Sequence, residues 1–281
     1  VLGVSVDKRA AHFFSLGGNS LAATQLAAQV RDRWRVPFQI ADVFGSATLY
    51  ESAALIERLL ESGERIAPAR IEFDAQAGER VPASFAQRRQ WFLWQLDRTS
   101  SAYHLAGGLA LRGELNVGAL RAALQMLVDR HETLRTTFET SADGTPFQIV
   151  HASLPPAFDE VDLRVASRSD SEAQPAEAVL TGMRAIVARP FDLTRGPLLR
   201  ATLLQTGESA WQLLLVVHHI AADGWSADLL FDEIAHGYRR VMAGDHDSLS
   251  PLPTLPVRYR DYAAWQHRWF ARDEYSRQLA Y

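Results

Sequence analysis

Between Glu61 and Ala83 the hydrophobic pattern of this chain breaks off. The stretch ESGERIAPARIEFDAQAGERVPA is charged, contains two prolines and sustains no period, which reads as an interdomain linker. A chain of 281 residues interrupted there has to build two separate cores, and it is long enough to do so. The sequence divides into a first domain over 1–64, a linker over 65–81 and a second domain over 82–281.

Ahead of the break the periodicity is helical. Ala22, Leu26, Val30 and Trp34 recur every four residues and predict a helix over 20–34, preceded by the loop and cap residues Gly17, Gly18 and Asn19. Leu49, Ala53, Ile56 and Leu60 mark a second helix over about 49–61, with a short helical turn in FQIADVF between them. Behind the break helices and strands alternate. Helices are predicted at about 84–96, 116–130 and 173–189, and again after Asp223-Gly224, where Leu230, Ile234, Tyr238 and Val241 share one side. Strands are predicted at 103–112, in TLRTTFET and TPFQIVHA around the turn Asp143-Gly144, and in PLLRATLLQT and WQLLLVVHH around Gly207, Glu208 and Ser209. The expected fold is a small all-α helical bundle followed by an α/β (α+β) domain with a mixed sheet flanked by helices. VLG at the start reads as the end of an earlier helix, and ARDEYSRQLAY at the close as an unfinished one. A piece of a longer polypeptide is therefore expected.

Composition narrows the function classes. A net charge of −4 without a basic block offers no concentrated face for a nucleic-acid backbone. The absence of cysteine excludes disulfides, thiolate catalysis and cysteine metal sites, and it suits a cytoplasmic location. No apolar run reaches membrane-spanning length, and the first residues do not read as a secretory signal.

Two short stretches carry chemistry. In LGGNSL, Ser20 stands at the mouth of a helix, where free N–H groups and partial positive charge favour phosphate, and two glycines allow a partner near the backbone. Ser20 is then either an attachment point for a phosphodiester or simply a helix cap. In HHIAADG, His218 and His219 end a strand and point to opposite faces, which disfavours their sharing one metal ion. One imidazole is placed to exchange a proton near neutral pH, the other to be buried as support. Asp223 is free to accept a structural ion pair, and Gly224 permits a sharp turn. A structural histidine pair before an ordinary Asp-Gly turn accounts for the same residues.

FFSLGGNSLAATQLAAQVRDRW, with its aromatic pair, LGG, variable residue, Ser and hydrophobic residue, resembles the peptidyl carrier proteins of nonribosomal peptide synthetases. SFAQRRQWFL (84–93), RHETLRTTF (130–138), VHHIAADGWS (217–226) and YRDYAAW (259–265) resemble, in order, four core motifs of condensation domains, which belong to the chloramphenicol acetyltransferase-like superfamily. The resemblance covers essentially the whole chain. It implies a two-lobed domain that joins a donor acyl thioester to the amine of an acceptor aminoacyl thioester. It makes His219 the active-site histidine, as a base or as a positioning group, and His218 its buried neighbour. Asp223 is expected to support the loop by pairing with Arg135, and Gly224 to bring its backbone near the reacting groups. Trp225 and Ser226 are expected to pack. Ser20 is expected to receive 4′-phosphopantetheine from a separate phosphopantetheinyl transferase, and Leu21 with the surface around Val43 and Phe44 to meet partner domains. The implied partners are an upstream adenylation domain and downstream adenylation and carrier domains, with neither nucleic acid nor membrane.

The resemblance also implies that the carrier lacks its first helix and the condensation domain its second lobe, so this piece alone is expected to form few peptide bonds. Two other readings stay open. An epimerisation domain shares HHxxxDG and also follows a carrier, although Asn19 and the other three motifs disfavour it. A carrier or docking module without catalysis is the second. A soluble coenzyme-A-dependent acyltransferase leaves LGGNSL without a purpose.

Overall fold

The structure is a computed structural model that describes residues 11–46, 48–66, 71–72, 78, 80–164, 173–244 and 252–271. The helix end expected at VLG and the helix expected beyond Ala271 lie outside the described residues. The chain divides into compact units at Val1–Arg70 and Ile71–Tyr281. Among the described residues no helix is long and apolar enough to cross a membrane.

The first unit is helical, with α1 (Ser20–Trp34), α2 (Ile40–Gly45) and α3 (Leu49–Glu61). The Asn19 side chain accepts the Ala22 N–H and caps α1, and Thr48 does the same for α3. The buried face of α1 carries Ala23, Ala27 and Val30, clustered with Phe13, Val36, Phe38 and Val43. That face is rotated from the expected stripe. Ala22 and Leu26 only flank the core, and Trp34 is exposed. Repeat spacing fixes a helix but leaves its angular setting to packing, and here the small alanines take the innermost positions.

The described residues of the second unit form two sheets. β1 (Arg80–Pro82), β4 (Pro146–Val150) and β3 (Thr136–Thr140) form one, antiparallel in the order β1-β4-β3. β2 (His104–Arg112), β7 (Ala210–His218), β6 (Leu199–Gly207) and β5 (Ala157–Asp162) form the other, in that order. β6 and β7 are the expected hairpin, while β5 runs parallel to β6, so the sheet is mixed. The helices are α4 (Phe85–Leu96), α5 (Val117–Arg130), α6 (Ala173–Ala188), α7 (Gly224–Ala243) and α8 (Tyr259–Phe270). Pairing begins at Arg80, two residues ahead of the domain start expected at 82, because Val81 is buried opposite Gln148.

β7 runs between β2 and β6 and feeds two cores. Leu213, Leu215 and Val217 join Leu124 and Leu127 of α5 and Ile234 of α7. Leu214 and Val216 join Trp91 and Trp94 of α4, with Met183 and Ile186 of α6 against them. α5 and α7 approach so closely that a Cβ at Gly237 would lie 3.2 Å from that of Ala123.

Candidate active site

The two-residue period of β7 separates its terminal histidines. His218 lies on the Leu214–Val216 side and is 3 % exposed. Its ring meets Phe191 edge-on at 5.9 Å and lies 6.0 Å from that of His104. Its Nδ1 accepts the Ile220 N–H at 3.1 Å. Burial above all, with His104 and His219 nearby, pushes the imidazole down to about 4, so it is neutral near pH 7. His219 is only half-buried. Its N–H donates to the Tyr103 carbonyl at 2.8 Å, which ties the residue to the chain entering β2.

His219 borders a cavity of about 420 Å³, walled also by Gln90, Arg130, His131, Asp223 and Arg258. Gln90 Nε2 of α4 lies 3.3 Å from His219 Nδ1, and Gln90 Oε1 is buried with no partner among the described residues. An amide presents donor and acceptor ends of nearly the same shape. In the orientation seen, Nδ1 accepts and Nε2 carries the proton. With the amide turned over, Oε1 gains a partner in Nδ1–H, and Nε2 becomes an acceptor. Gln90 therefore suits both tautomers, whereas a carboxylate would only accept.

Three expectations about this loop are corrected. Arg135 does not pair with Asp223. Asp223 caps α7, its Oδ1 accepting from Ser226 N–H at 3.0 Å and from Ser226 Oγ–H at 2.7 Å. Arg135 ends the turn Glu132–Arg135, donates to the His151 carbonyl and lies 3.8 Å from Glu132. Asp223 is held within the start of its own helix and Arg135 by Glu132 and the His151 carbonyl, and no ion pair joins the two. Gly224 is the first residue of α7 and has no positive φ, so the turn does not require glycine there. Trp225 is 52 % exposed rather than packed.

A further cluster escaped the sequence reading. Glu233, buried on α7, accepts from Arg130 Nε at 3.0 Å and meets His131 Nε2 at 2.6 Å. It thereby joins the RHETLRT segment to the helix that follows HHIAADG. Its only trace in the sequence is a carboxylate between Leu230 and Ile234 on the apolar side of α7.

In the first unit Ser20 is exposed, and Asn19 performs the capping in its place. Gly17 takes φ 90°, a left-handed value that favours glycine. At Gly18 a Cβ would come 2.5 Å from the Phe13 ring, so that glycine makes room for the core and not for a visitor. Leu21 and Phe44 are exposed at 47 % and 55 %, but Val43 belongs to the core. An uncommitted hydroxyl at the positive end of a 15-residue helix fits a phosphodiester.

A helical unit with an exposed serine at a helix start, ahead of a mixed-sheet lobe with a strand-end histidine over a cavity, describes a carrier followed by an acyl-transfer domain. Comparison with known proteins makes this specific. Residues 77–281 match the family model of the condensation domain, and the chain belongs to that family. Residues 1–56 match the phosphopantetheine attachment site. The chain is 38 % identical over 280 residues to a linear gramicidin synthase of Brevibacillus parabrevis, covering 99 % of this chain and 4 % of that one. It is 41 % identical over 270 residues to cyclosporin synthetase simA of Tolypocladium inflatum, covering 96 % and 2 %. These relatives are thus far longer than the chain. The starter condensation domain of rhizomide synthetase RzmA superposes with a TM-score of 0.61 at 25 % identity, covering 72 % of this chain and 46 % of that one. The X-domain in its complex with OxyB from teicoplanin biosynthesis gives 0.61 at 32 %, covering 72 % and 41 %.

Proposed function

We propose that this chain acts within a nonribosomal peptide synthetase, where His219 serves the formation of a peptide bond between two carrier-bound substrates. The observation that carries the reading is the division of the pair: His218 is neutral and buried, while His219 faces a cavity with a tautomer-tolerant amide behind it. Ser20 is the proposed attachment point of 4′-phosphopantetheine, whose thiol, when bound, carries the acyl group as a thioester. A phosphopantetheinyl transferase is the proposed modifying partner, and adenylation and further carrier domains the neighbours. We place the synthetase in the cytoplasm.

The acceptor amine is an ammonium near neutral pH; it gives one proton to solvent to free its lone pair and has to lose a second as it attacks the donor carbonyl. The C–N bond forms, the C–S bond breaks, and the leaving sulfur takes up a proton. His219 can receive the second proton and return it to the sulfur, so the residue ends unchanged. The thioester is already activated, so holding amine and carbonyl in reach supplies much of the acceleration. No side-chain nucleophile is needed.

The test has two arms. Treatment of the chain with coenzyme A and a promiscuous phosphopantetheinyl transferase should add one arm by mass spectrometry, and Ser20→Ala should abolish the gain. In the full synthetase, His219→Ala should slow peptide formation by about 10²–10⁴-fold with arm attachment intact. Undiminished peptide formation in that variant would remove His219 from the mechanism. The chain by itself is expected to form little peptide.

A further inference from the structure

Behind the turn Ala222–Asp223–Gly224 lies a second cavity, of about 190 Å³. It shares Ala222 and Asp223 with the cavity at His219, so the two cavities adjoin at this turn. Leu105, Leu215 and Val217 line it from the sheet, and Ala227, Leu230 and Phe231 from α7. Asp223 is its only charged residue among the described ones, and the Asp223 Oδ1 is engaged by Ser226. Two glycines shape the space. A Cβ at Gly107 would come within 2.8 Å of the Phe231 ring, so bare backbone there lets the ring settle on the sheet. At Gly224 no positive φ calls for glycine, and a Cβ would meet nothing within 4 Å. The missing side chain leaves open space at the rim.

We propose that this cavity receives the aliphatic side chain of an α-aminoacyl thioester whose carbonyl is handled at His219, and thereby favours such substrates over small or charged ones. The proposal rests on His219 being the condensing centre. Apolar cavities of about 150 Å³ stay dry and admit guests as large as benzene, so a leucine-sized group suits the space. Burying such a group is worth about tenfold to a hundredfold in affinity. Either thioester of the reaction offers this chemistry, the N-acylated donor or the free-amine acceptor.

The 281-residue chain is titrated with N-acetylcysteamine thioesters of glycine, leucine and glutamate, each N-acetylated and with a free amine, and followed by amide NMR. The leucyl compound is expected to bind at least about tenfold more tightly than the glycyl one, with shifts at Gly107 and Ala227, and the glutamyl compound no better than the glycyl one. A preference confined to the N-acetyl set assigns the cavity to the donor, and one confined to the free-amine set to the acceptor. Ala227→Leu fills the space and should bring leucyl binding down to the glycyl level. Phe231→Ala, which only removes atoms, should move the preference toward a tryptophanyl thioester. Equal affinities in the unaltered chain overturn the proposal, as does a preference untouched by both variants. His219→Ala separates the two claims: the binding preference should survive, while condensation in the full synthetase should not. Condensation surviving in that variant refutes the role of His219 and leaves the cavity to be judged on the binding data.

Discussion

Acidification should loosen the second unit through His218. In the folded chain burial holds this imidazole down to about 4, whereas an exposed histidine takes a proton near 6.5. Above pH 6.5 neither folded nor unfolded chain is charged at this position, and the native state loses nothing. Between 6.5 and about 4 the unfolded chain binds a proton that the folded chain refuses, so stability falls with pH until the folded imidazole itself titrates. One pKa unit corresponds to about 1.4 kcal/mol, so the loss across that window amounts to about 3 kcal/mol. His104, half-buried close by and also lowered mainly by burial, adds to it in the same direction. The assay is urea unfolding at stepped pH, read by tryptophan fluorescence, since six of the seven tryptophans lie beyond residue 70. The comparison is His218→Asn, whose side-chain oxygen can accept the Ile220 N–H in place of Nδ1. The other titrating groups are common to both proteins and cancel in the difference. The variant should be less stable at pH 7 yet lose about 3 kcal/mol less on going to pH 4. Parallel stability curves for the two proteins would show that His218 is not held neutral by burial.

Gln90→Glu puts a carboxylate against His219 Nδ1, which commits that nitrogen to donating, and should slow peptide formation in the full synthetase by about tenfold, read from product formation with arm attachment intact. Gly18→Ala drives a methyl group against the Phe13 ring and should cost the first unit about 1–3 kcal/mol, read from its thermal unfolding. Glu233→Ala leaves the Arg130 guanidinium without its buried carboxylate and should destabilise the second unit by about 3 kcal/mol in urea unfolding.

What the sequence disclosed and what it withheld follow from the range of each interaction. The orientation of the two histidines was readable because strand alternation is local and an unbroken apolar run, Leu213 to Val217, leads straight into the pair. The hairpin of β6 and β7 was readable for the same reason. β5 was missed because AFDEVD has no buried alternation; it is an edge strand whose carboxylates discourage further pairing. Gln90 was missed because its partner lies 129 residues away, and nothing in RRQWF distinguishes that amide from a surface one. The Asp223–Arg135 pair was expected from the family resemblance. Helix capping by Asp223 is a nearer use for the carboxylate, and DGWS carried the signal for it, a cap residue followed three positions later by a hydroxyl that bonds back.

The adjacency of the two histidines is a consequence of how β7 is held. The strand is paired along its length on both sides, to β2 from Arg112 through His104 and to β6 through Leu199. A slip of one residue would carry Leu213 through Val217 into the wrong layers, so burying His218 and presenting His219 amount to a single structural decision. Backbone bonds to Tyr103 and within the turn then fix the main chain that carries the His219 imidazole, while a neutral amide touches its Nδ1. A carboxylate in that place would commit Nδ1 to donating and favour the charged ring; Gln90 does neither. An imidazole whose main chain is fixed but whose proton is left mobile is suited to taking a proton from an amine and giving one to a departing sulfur. That is the demand of an acyl transfer in which the donor arrives already activated and no protein nucleophile has to be created.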